Sequence, residues 1–510
     1  MSTATNTKVG VSRKGNGPDA DLPAYLKPRA LIVFVLVLTL VKLFAGANAH
    51  FVEDEAYYRL WGLSPALSYY DHPPMIGWWI ALGQSVLGDT VLGVRMLVIL
   101  ASLAGSFFLW RTAFILFGER TAGWAVLFLN TSLLVGIGGI LATPDAPSVF
   151  FWGLALWAIA ELHVSRNANW WLAVGLFAGS GLLSKYSVLF LGCGITLWIF
   201  VVPSARRWLG SWQLWAGGAL ALAVFAPVLY WNHLHDWVSF EKQFGRAARG
   251  HLSSKYIFEF IGAVLGLMNP LVAVPALVGA VVLVRRTFRR DAESALVILT
   301  VAPFLIYLLS HSLHARVQAN WPAPLFPAFA LCAAVWVTEH STAFWKRWSG
   351  VGVVLGAVIA LVVQFHAVHP ITGALARKDP TFQLRGWNEL GAEISEIAKR
   401  ENARYVATTG YGINGQLSYL MKDQVPTYQL TERLRYVMQA QPKESDFYGV
   451  GLYVSEERRD ASNALRAKYA SVEKLAMIPR EVMGSLLENI VVYRLEGPLK
   501  LPLDPLPSEN

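Results

Sequence analysis

The stretch from Ala30 to Tyr58 reads ALIVFVLVLTLVKLFAGANAHFVEDEAYY. Its first part, 30–47, is an apolar run close to the ~20 residues needed to span a bilayer as a helix. The run breaks directly into Glu53, Asp54 and Glu55, followed by Tyr57 and Tyr58. A membrane helix that ends in three carboxylates places ionisable chemistry at a membrane surface, and the rest of the chain repeats this theme.

Of the 510 residues, 55% are hydrophobic and 15% charged, against roughly 25% charged in an ordinary soluble domain. That composition excludes a soluble globular protein for most of the chain, and equally a disordered, collagen-like or coiled-coil one. Further apolar runs lie near 91–111, 121–141, 146–164, 169–183, 186–203, 212–231, 257–284, 294–311, 319–338 and 350–369, which makes about eleven spans. The run 257–284 contains Asn269-Pro270, where a kink or a split is expected. The net charge of +9 comes from Lys and Arg in short connections. These are Lys8, Arg13, Lys14, Lys27 and Arg29 in the leader, then Arg206-Arg207, Arg285-Arg286 with Arg289-Arg290, and Lys346-Arg347. With an odd span count all of them fall on one side, the cytoplasm by the positive-inside rule. Ala47-Asn48-Ala49 resembles a signal-cleavage site, but the long polar leader favours an uncleaved first helix. Cys193 and Cys332 sit in apolar runs and read as free thiols.

Beyond about 370 the character changes. Residues 386–400 read as an amphipathic helix with Trp387, Leu390, Ile394 and Ile397 on one stripe, and 404–408, 448–454 and 489–494 read as strands. The expected architecture is mainly α: a cytoplasmic polar tail at 1–28, a polytopic membrane domain at 29–370 with an outer loop at about 48–90, a small α/β domain outside the cytoplasm at 371–497, and a Pro-rich tail at 498–510.

The unusual polar residues cluster at the outer helix ends. On a helix Asp54, Tyr58 and Trp61 share a face, which makes Tyr58 a candidate substrate contact. A carboxylate in the low dielectric of an interface becomes more basic and suits general-base work on a hydroxyl; a solvated acidic helix start is the plain alternative. Tyr69-Tyr70-Asp71-His72-Pro73-Pro74 forms a proline-fixed bend whose Asp71 and His72 suit a metal, a phosphate or a helix cap. Asp145, in Thr143-Pro144-Asp145-Ala146-Pro147, stands at a helix start, where capping is its simplest role. Lys185 interrupts two apolar runs, where it snorkels or meets a lipid phosphate. Arg316, in the 311–324 turn, reads as an anion clamp or as a topological charge. The segment 232–255, with Trp237, Phe240, Phe244, Arg246 and Arg249, reads as an interfacial helix that anchors the chain or lines a donor entrance.

In order, Asp54-Glu55, Tyr70-Asp71-His72-Pro73-Pro74, Pro144-Asp145, Ser184-Lys185 and Asn320-Trp321-Pro322 resemble the GT-C type membrane glycosyltransferases, in particular the bacterial dolichyl-phosphate-mannose protein mannosyltransferase-like family, which includes lipid A aminoarabinose transferases and rhizobial galacturonosyl transferases. The resemblance covers about 30–420; the C-terminal part matches loosely, through Gly386-Trp387-Asn388-Glu389-Leu390 and Tyr411 to Tyr419. It implies inverting transfer of a sugar from a polyprenyl-phosphate donor to a lipid A, lipopolysaccharide-core or protein acceptor, on the periplasmic side of a bacterial inner membrane. In it Asp54 matches the catalytic base and Glu55 its supporting neighbour. Asp145 matches a second acid facing the cavity, and Lys185 and Arg316 match residues near the donor phosphate. Asp71 stands where some relatives have a metal-binding Glu, and His72 where aminoarabinose transferases often have Lys. These two departures leave a divalent metal and the sugar unassigned. A secondary transporter or lipid flippase is the rival reading; the absence of repeated halves and the position of polar groups at helix ends count against it. A non-catalytic sensor is a third. No Gly-rich phosphate loop supports ATP or nucleic-acid binding.

Overall fold

The computed structural model describes residues 22–245, 252–340 and 342–506. The basic leader residues Lys8, Arg13 and Lys14, and also Arg246 and Arg249, lie outside the described residues. Helix α1 (Pro28–Asn48) starts with proline at its first turn, where no backbone donor is lost. The loop that follows carries α2 (Glu53–Leu63) and α3 (Met75–Leu87). Then come α4 (Val91–Phe117), α5 (Glu119–Asn130), α6 (Leu133–Gly138), α7 (Asp145–Ser165), α8 (Trp170–Leu182), α9 (Leu189–Val201), α10 (Trp212–Leu234) and the short α11 (Val238–Phe244). The bundle closes with α12 (Lys255–Leu267), α13 (Pro270–Phe288), α14 (Ala292–His311), α15 (Phe326–Glu339) and α16 (Ala343–Val368).

Among the described residues, seven helices are long and apolar enough to cross a membrane: α1, α4, α7, α10, α13, α14 and α16. The remaining expected spans are shorter or broken, each for a local reason. The run 121–141 divides at Thr131-Ser132, whose hydroxyls both donate at 2.7 Å to preceding carbonyls, of Leu127 and Leu129, in competition with the helix ladder. The run 257–284 splits at Asn269, which takes φ 72° and accepts from the Leu271 N–H, with Pro270 starting α13. Large apolar side chains stay exposed along α1 (Ile32, Val33, Leu36, Leu40, Phe44) and α16 (Val351, Val354, Val358, Leu361, Phe365). Such outward stripes are unfavourable in water and natural against lipid.

The C-terminal part holds α17 (Trp387–Arg400), β1 (Tyr405–Thr408), α18 (Tyr411–Leu420), β2 (Thr427–Gln429), β3 (Gly451–Glu456), β4 (Tyr469–Val482) and β5 (Ser485–Pro498). The sheet order is β2-β1-β3-β5-β4. Strand β1 is parallel to β2 and β3, while β5 is antiparallel to β3 and β4. The expected stripe of α17 is buried at Trp387, Leu390, Ile394 and Ile397. Strand β4 has no counterpart among the expected strands; its sequence YASVEKLAMIPREV alternates too imperfectly to signal one.

Helix α18 docks on α2 at very close range. An ideal Cβ built on Gly415 would lie 2.6 Å from the Tyr57 nitrogen, so only glycine permits this approach. The Gln416 amide donates to the Phe51 carbonyl at 3.0 Å, and Lys422 donates to the Asp89 carbonyl at 3.0 Å. The 49–90 loop is thereby clasped between the helical bundle and the C-terminal part.

Candidate active site

Helix α2 begins at the acidic triplet, and its three carboxylates have three different surroundings. Asp54 lines a cavity of about 590 Å³ whose wall is otherwise built mainly by apolar side chains of α4, α7 and α15, among them Phe108, Phe150 and Leu331. Asp145, Thr143 and Asn320 line the same cavity. The Tyr411 hydroxyl donates to Asp54 Oδ1 at 3.0 Å. Burial lifts the Asp54 carboxyl above its ordinary range, and Asp71 adds to this; the Tyr411 hydrogen bond and the Arg435 charge pull it back.

Glu55 is entirely buried and faces elsewhere. Arg95 grips it through Nε at 2.8 Å and Nη2 at 2.5 Å, and the Ala142 and Val52 N–H groups donate to the same carboxylate at 2.8 and 3.2 Å. Arg95 also donates to the carbonyls of Ala49 and His50, each at 2.7 Å. The pair fastens the end of α1 to the start of α2 and α4. The Glu55 oxygens are taken up by Arg95 and two backbone donors, so the side chain braces the turn that carries Asp54.

Asp145, at the first position of α7, accepts from Lys185 Nζ at 2.5 Å and from the Asn320 amide at 2.5 Å. Lys185 lies in extended backbone just after α8. The Met75 N–H donates to the Leu183 carbonyl at 2.9 Å, which ties the Pro73-Pro74 bend to this segment. The bend is braced from within: Tyr69 stacks on Trp61 with centroids 4.0 Å apart and donates to its carbonyl at 3.0 Å. Tyr58 is buried against Trp61 at 4.6 Å and stands 6.3 Å from the His72 ring. Burial, with Lys185 beside it, pulls the His72 imidazole down to about 4, so it is neutral at pH 7.

Asp71 is the centre of a cation cluster. Lys242 of α11 forms an ion pair with it, Arg435 pairs at 2.5 Å, and the Tyr57 hydroxyl donates at 2.9 Å. Burial works to raise the Asp71 pKa, but Arg435 and Lys242 outweigh it and the carboxyl is held below its usual range. Arg435 lies 4.6 Å from the Tyr411 ring centre, so one arginine connects Asp71 to the tyrosine that bonds Asp54. A divalent metal at Asp71 does not fit this set, because two cations already occupy its oxygens; among the described residues no three His, Cys, Asp or Glu side chains gather to hold one.

Arg316 stands apart from this cluster. Its side chain is 70% exposed and pairs with Glu259 of α12 at 3.3 Å, and it does not line the cavity. In the described part of the 232–255 segment Phe240 packs on Tyr186 at 5.1 Å, Trp237 and Phe244 remain exposed, and Lys242 pairs with Asp71. Sequence reasoning missed Lys242 and Arg435. Lys242 sits in a flagged segment, whereas Arg435 is an ordinary basic residue about 380 positions from Asp54, with no local pattern to mark it.

The chain is thus a polytopic helical bundle with a loop carboxylate, Asp54, in the wall of a mainly apolar cavity. Residues 71–231 match the family model described as dolichyl-phosphate-mannose-protein mannosyltransferase, and the GT-C resemblance read from the motif order is borne out. The chain is 26% identical over 405 residues to the lipid A galacturonosyltransferase RgtD of Rhizobium johnstonii, covering 78% of this chain and 84% of that protein. It is 32% identical over 174 residues to the undecaprenyl phosphate-alpha-4-amino-4-deoxy-L-arabinose arabinosyl transferase of Pseudomonas aeruginosa, covering 32% of this chain and only 30% of that protein. The crystal structure of ArnT from Cupriavidus metallidurans bound to undecaprenyl phosphate superposes with a TM-score of 0.64 at 16% identity, covering 93% of this chain and 99% of that one. At that identity the likeness establishes a shared fold.

Proposed function

We propose that this chain is an inverting glycosyltransferase that moves a sugar from a polyprenyl-phosphate donor to lipid A or a related envelope acceptor. The observation that carries the proposal is the placement of Asp54. It is a carboxylate open to a mainly apolar cavity, with its pKa raised above the ordinary range, and Asp145 of the Asp145–Lys185–Asn320 cluster lines the same cavity. The similarity to RgtD over most of both chains supports lipid A as acceptor, and the fold shared with an undecaprenyl-phosphate-bound structure supports the donor class.

In this reading the acceptor hydroxyl gives its proton to the Asp54 carboxylate as its oxygen attacks the anomeric carbon. The bond from that carbon to the phosphate oxygen breaks on the opposite face, and one carboxylate suffices, unlike the pair of a retaining hydrolase. The departing phosphate gathers negative charge against Lys185, which Asp145 holds in place while the Asn320 amide donates to Asp145 in turn. His72, which lies near both Lys185 and Asp71, and Tyr58, whose ring is 6.3 Å from it, are assigned to substrate contact.

The same reading sets the topology. Counting α5 with α6 and α12 with α13 as single crossings gives eleven. Asp54, Asp145, Lys185, Lys242 and the C-terminal part then share one side, and Arg206, Arg285 and Lys346 the other. By the positive-inside rule the site faces the periplasm. Residues 29–370 act as the membrane domain and 371–497 as an outer domain that completes the site through Tyr411 and Arg435.

The test is mass spectrometry of envelope glycolipids from cells with the wild-type gene, the Asp54→Asn gene and no gene. The proposal expects one sugar mass to be missing from an envelope lipid in both defective strains, with the polyprenyl-phosphate sugar accumulating. Identical lipids in all three strains, with the protein present, would overturn it.

A further inference from the structure

Lys42 lies inside α1, six residues before its end, and is 2% exposed. A lysine at such a depth is unfavourable by about 2.5–3.5 kcal/mol on insertion scales and calls for a compensating partner. No carboxylate supplies one among the described residues. Its ammonium makes one hydrogen bond, to Ser102 Oγ of α4 at 2.9 Å. An ideal Cβ built on Gly139 would lie 2.9 Å from Nζ, so the missing side chain at 139 keeps room for the ammonium. Ser102 and Gly139 both line the cavity that Asp54 opens into.

Ser102 accepts from the ammonium, which commits an oxygen lone pair and leaves the hydroxyl proton to be directed elsewhere. In the described structure that proton has no protein acceptor, while the residue faces the cavity. The result is a charge-polarised donor on an otherwise apolar wall, about 9 Å below the end of α1 at 1.5 Å per residue. Asp54, the proposed base for the acceptor hydroxyl, lines the same cavity, so the acceptor is the substrate brought toward this wall.

We propose that Lys42 and Ser102 form an acceptor subsite that binds a carbonyl or phosphate oxygen of an acylated glycolipid and so fixes how deeply the acceptor sits. The inference rests on the glycosyl-transfer reading for its kinetic consequence, but the binding itself is measurable without turnover. The ion's charge reaches the ligand through Ser102, so Lys42 is a positioning residue and Ser102 the contact.

The experiment uses the full-length protein in nanodiscs with two probes, lipid A and lipid A stripped of its ester-linked acyl chains. Equilibrium binding is measured for wild type, Lys42→Met and Ser102→Ala, and KM and kcat are measured wherever transfer occurs. Both variants are expected to bind lipid A about ten-fold more weakly, the loss of one charge-assisted hydrogen bond. Donor KM and kcat are expected to stay near wild type. If the contact is an ester carbonyl, the difference disappears with the stripped lipid; if it is a phosphate oxygen, it persists. Wild-type affinity for lipid A in both variants overturns the subsite. Absence of transfer in wild type, with the binding difference intact, overturns the catalytic reading and leaves the subsite standing.

Discussion

Replacing Glu55 by glutamine separates position from chemistry in the acidic turn. The side chains of Glu55 and Arg95 are both fully closed to solvent, and four donors converge on the Glu55 carboxylate. A glutamine there would preserve volume and some of these bonds but leave the Arg95 charge uncompensated in a dry site. Removing one partner of a buried pair typically costs ~3–5 kcal/mol, whereas replacing both with apolar groups is often close to neutral. Glu55→Gln is therefore expected to lose ~3 kcal/mol or more, and the double variant Glu55→Gln/Arg95→Met to regain much of it. Intrinsic tryptophan fluorescence during thermal unfolding of purified protein reads the stability, and turnover per folded molecule reads the chemistry. Residual transfer within about ten-fold of wild type is expected for the folded fraction. Unchanged melting with turnover lost as completely as in an Asp54 variant would refute the assignment of Glu55 to structure.

The pH dependence of transfer carries a signed expectation. Asp54 must be ionised to accept a proton, and burial raises its pKa, so activity is expected to fall on acidification through a limb above the ordinary aspartate range of about 3.9. Tyr411→Phe removes a hydrogen bond that lowers this pKa; the limb is expected to move to higher pH, and a downward shift would contradict the geometry. Because Asp71 is filled by Lys242 and Arg435, exhaustive chelation of purified protein is expected to leave transfer unchanged, and loss restored by added metal would reverse that account. Arg316→Ala, at a side chain 70% exposed and outside the cavity, is expected to change kcat/KM less than about three-fold, whereas Lys185→Ala is expected to weaken donor use strongly.

Much of this arrangement is legible in the sequence because membrane insertion leaves strong local signals. Long apolar runs mark the helices, basic connections mark one face, and acids at the other ends of helices mark the site. Asp54, Asp145 and Lys185 are visible for that reason: each interrupts or ends an apolar run. The broken spans at Thr131-Ser132 and Asn269 are less legible, since hydropathy averages over the few hydrogen bonds that break a helix. Arg95 sits inside an apolar run, yet its partner Glu55 lies 40 residues away, so pattern alone does not pair them. Arg435 is invisible for a further reason. Its place depends on how α18 and the following loop dock onto α2, a tertiary fact decided by Gly415 and the Gln416–Phe51 bond rather than by any periodicity.

The most direct test of the central claim is a single-turnover transfer assay with purified wild-type and Asp54→Asn protein, a defined polyprenyl-phosphate sugar and lipid A. A positioned general base contributes roughly 10²–10⁴-fold. The account predicts a rate loss in that range with donor binding and thermal stability retained. Transfer by Asp54→Asn at the wild-type rate would contradict it.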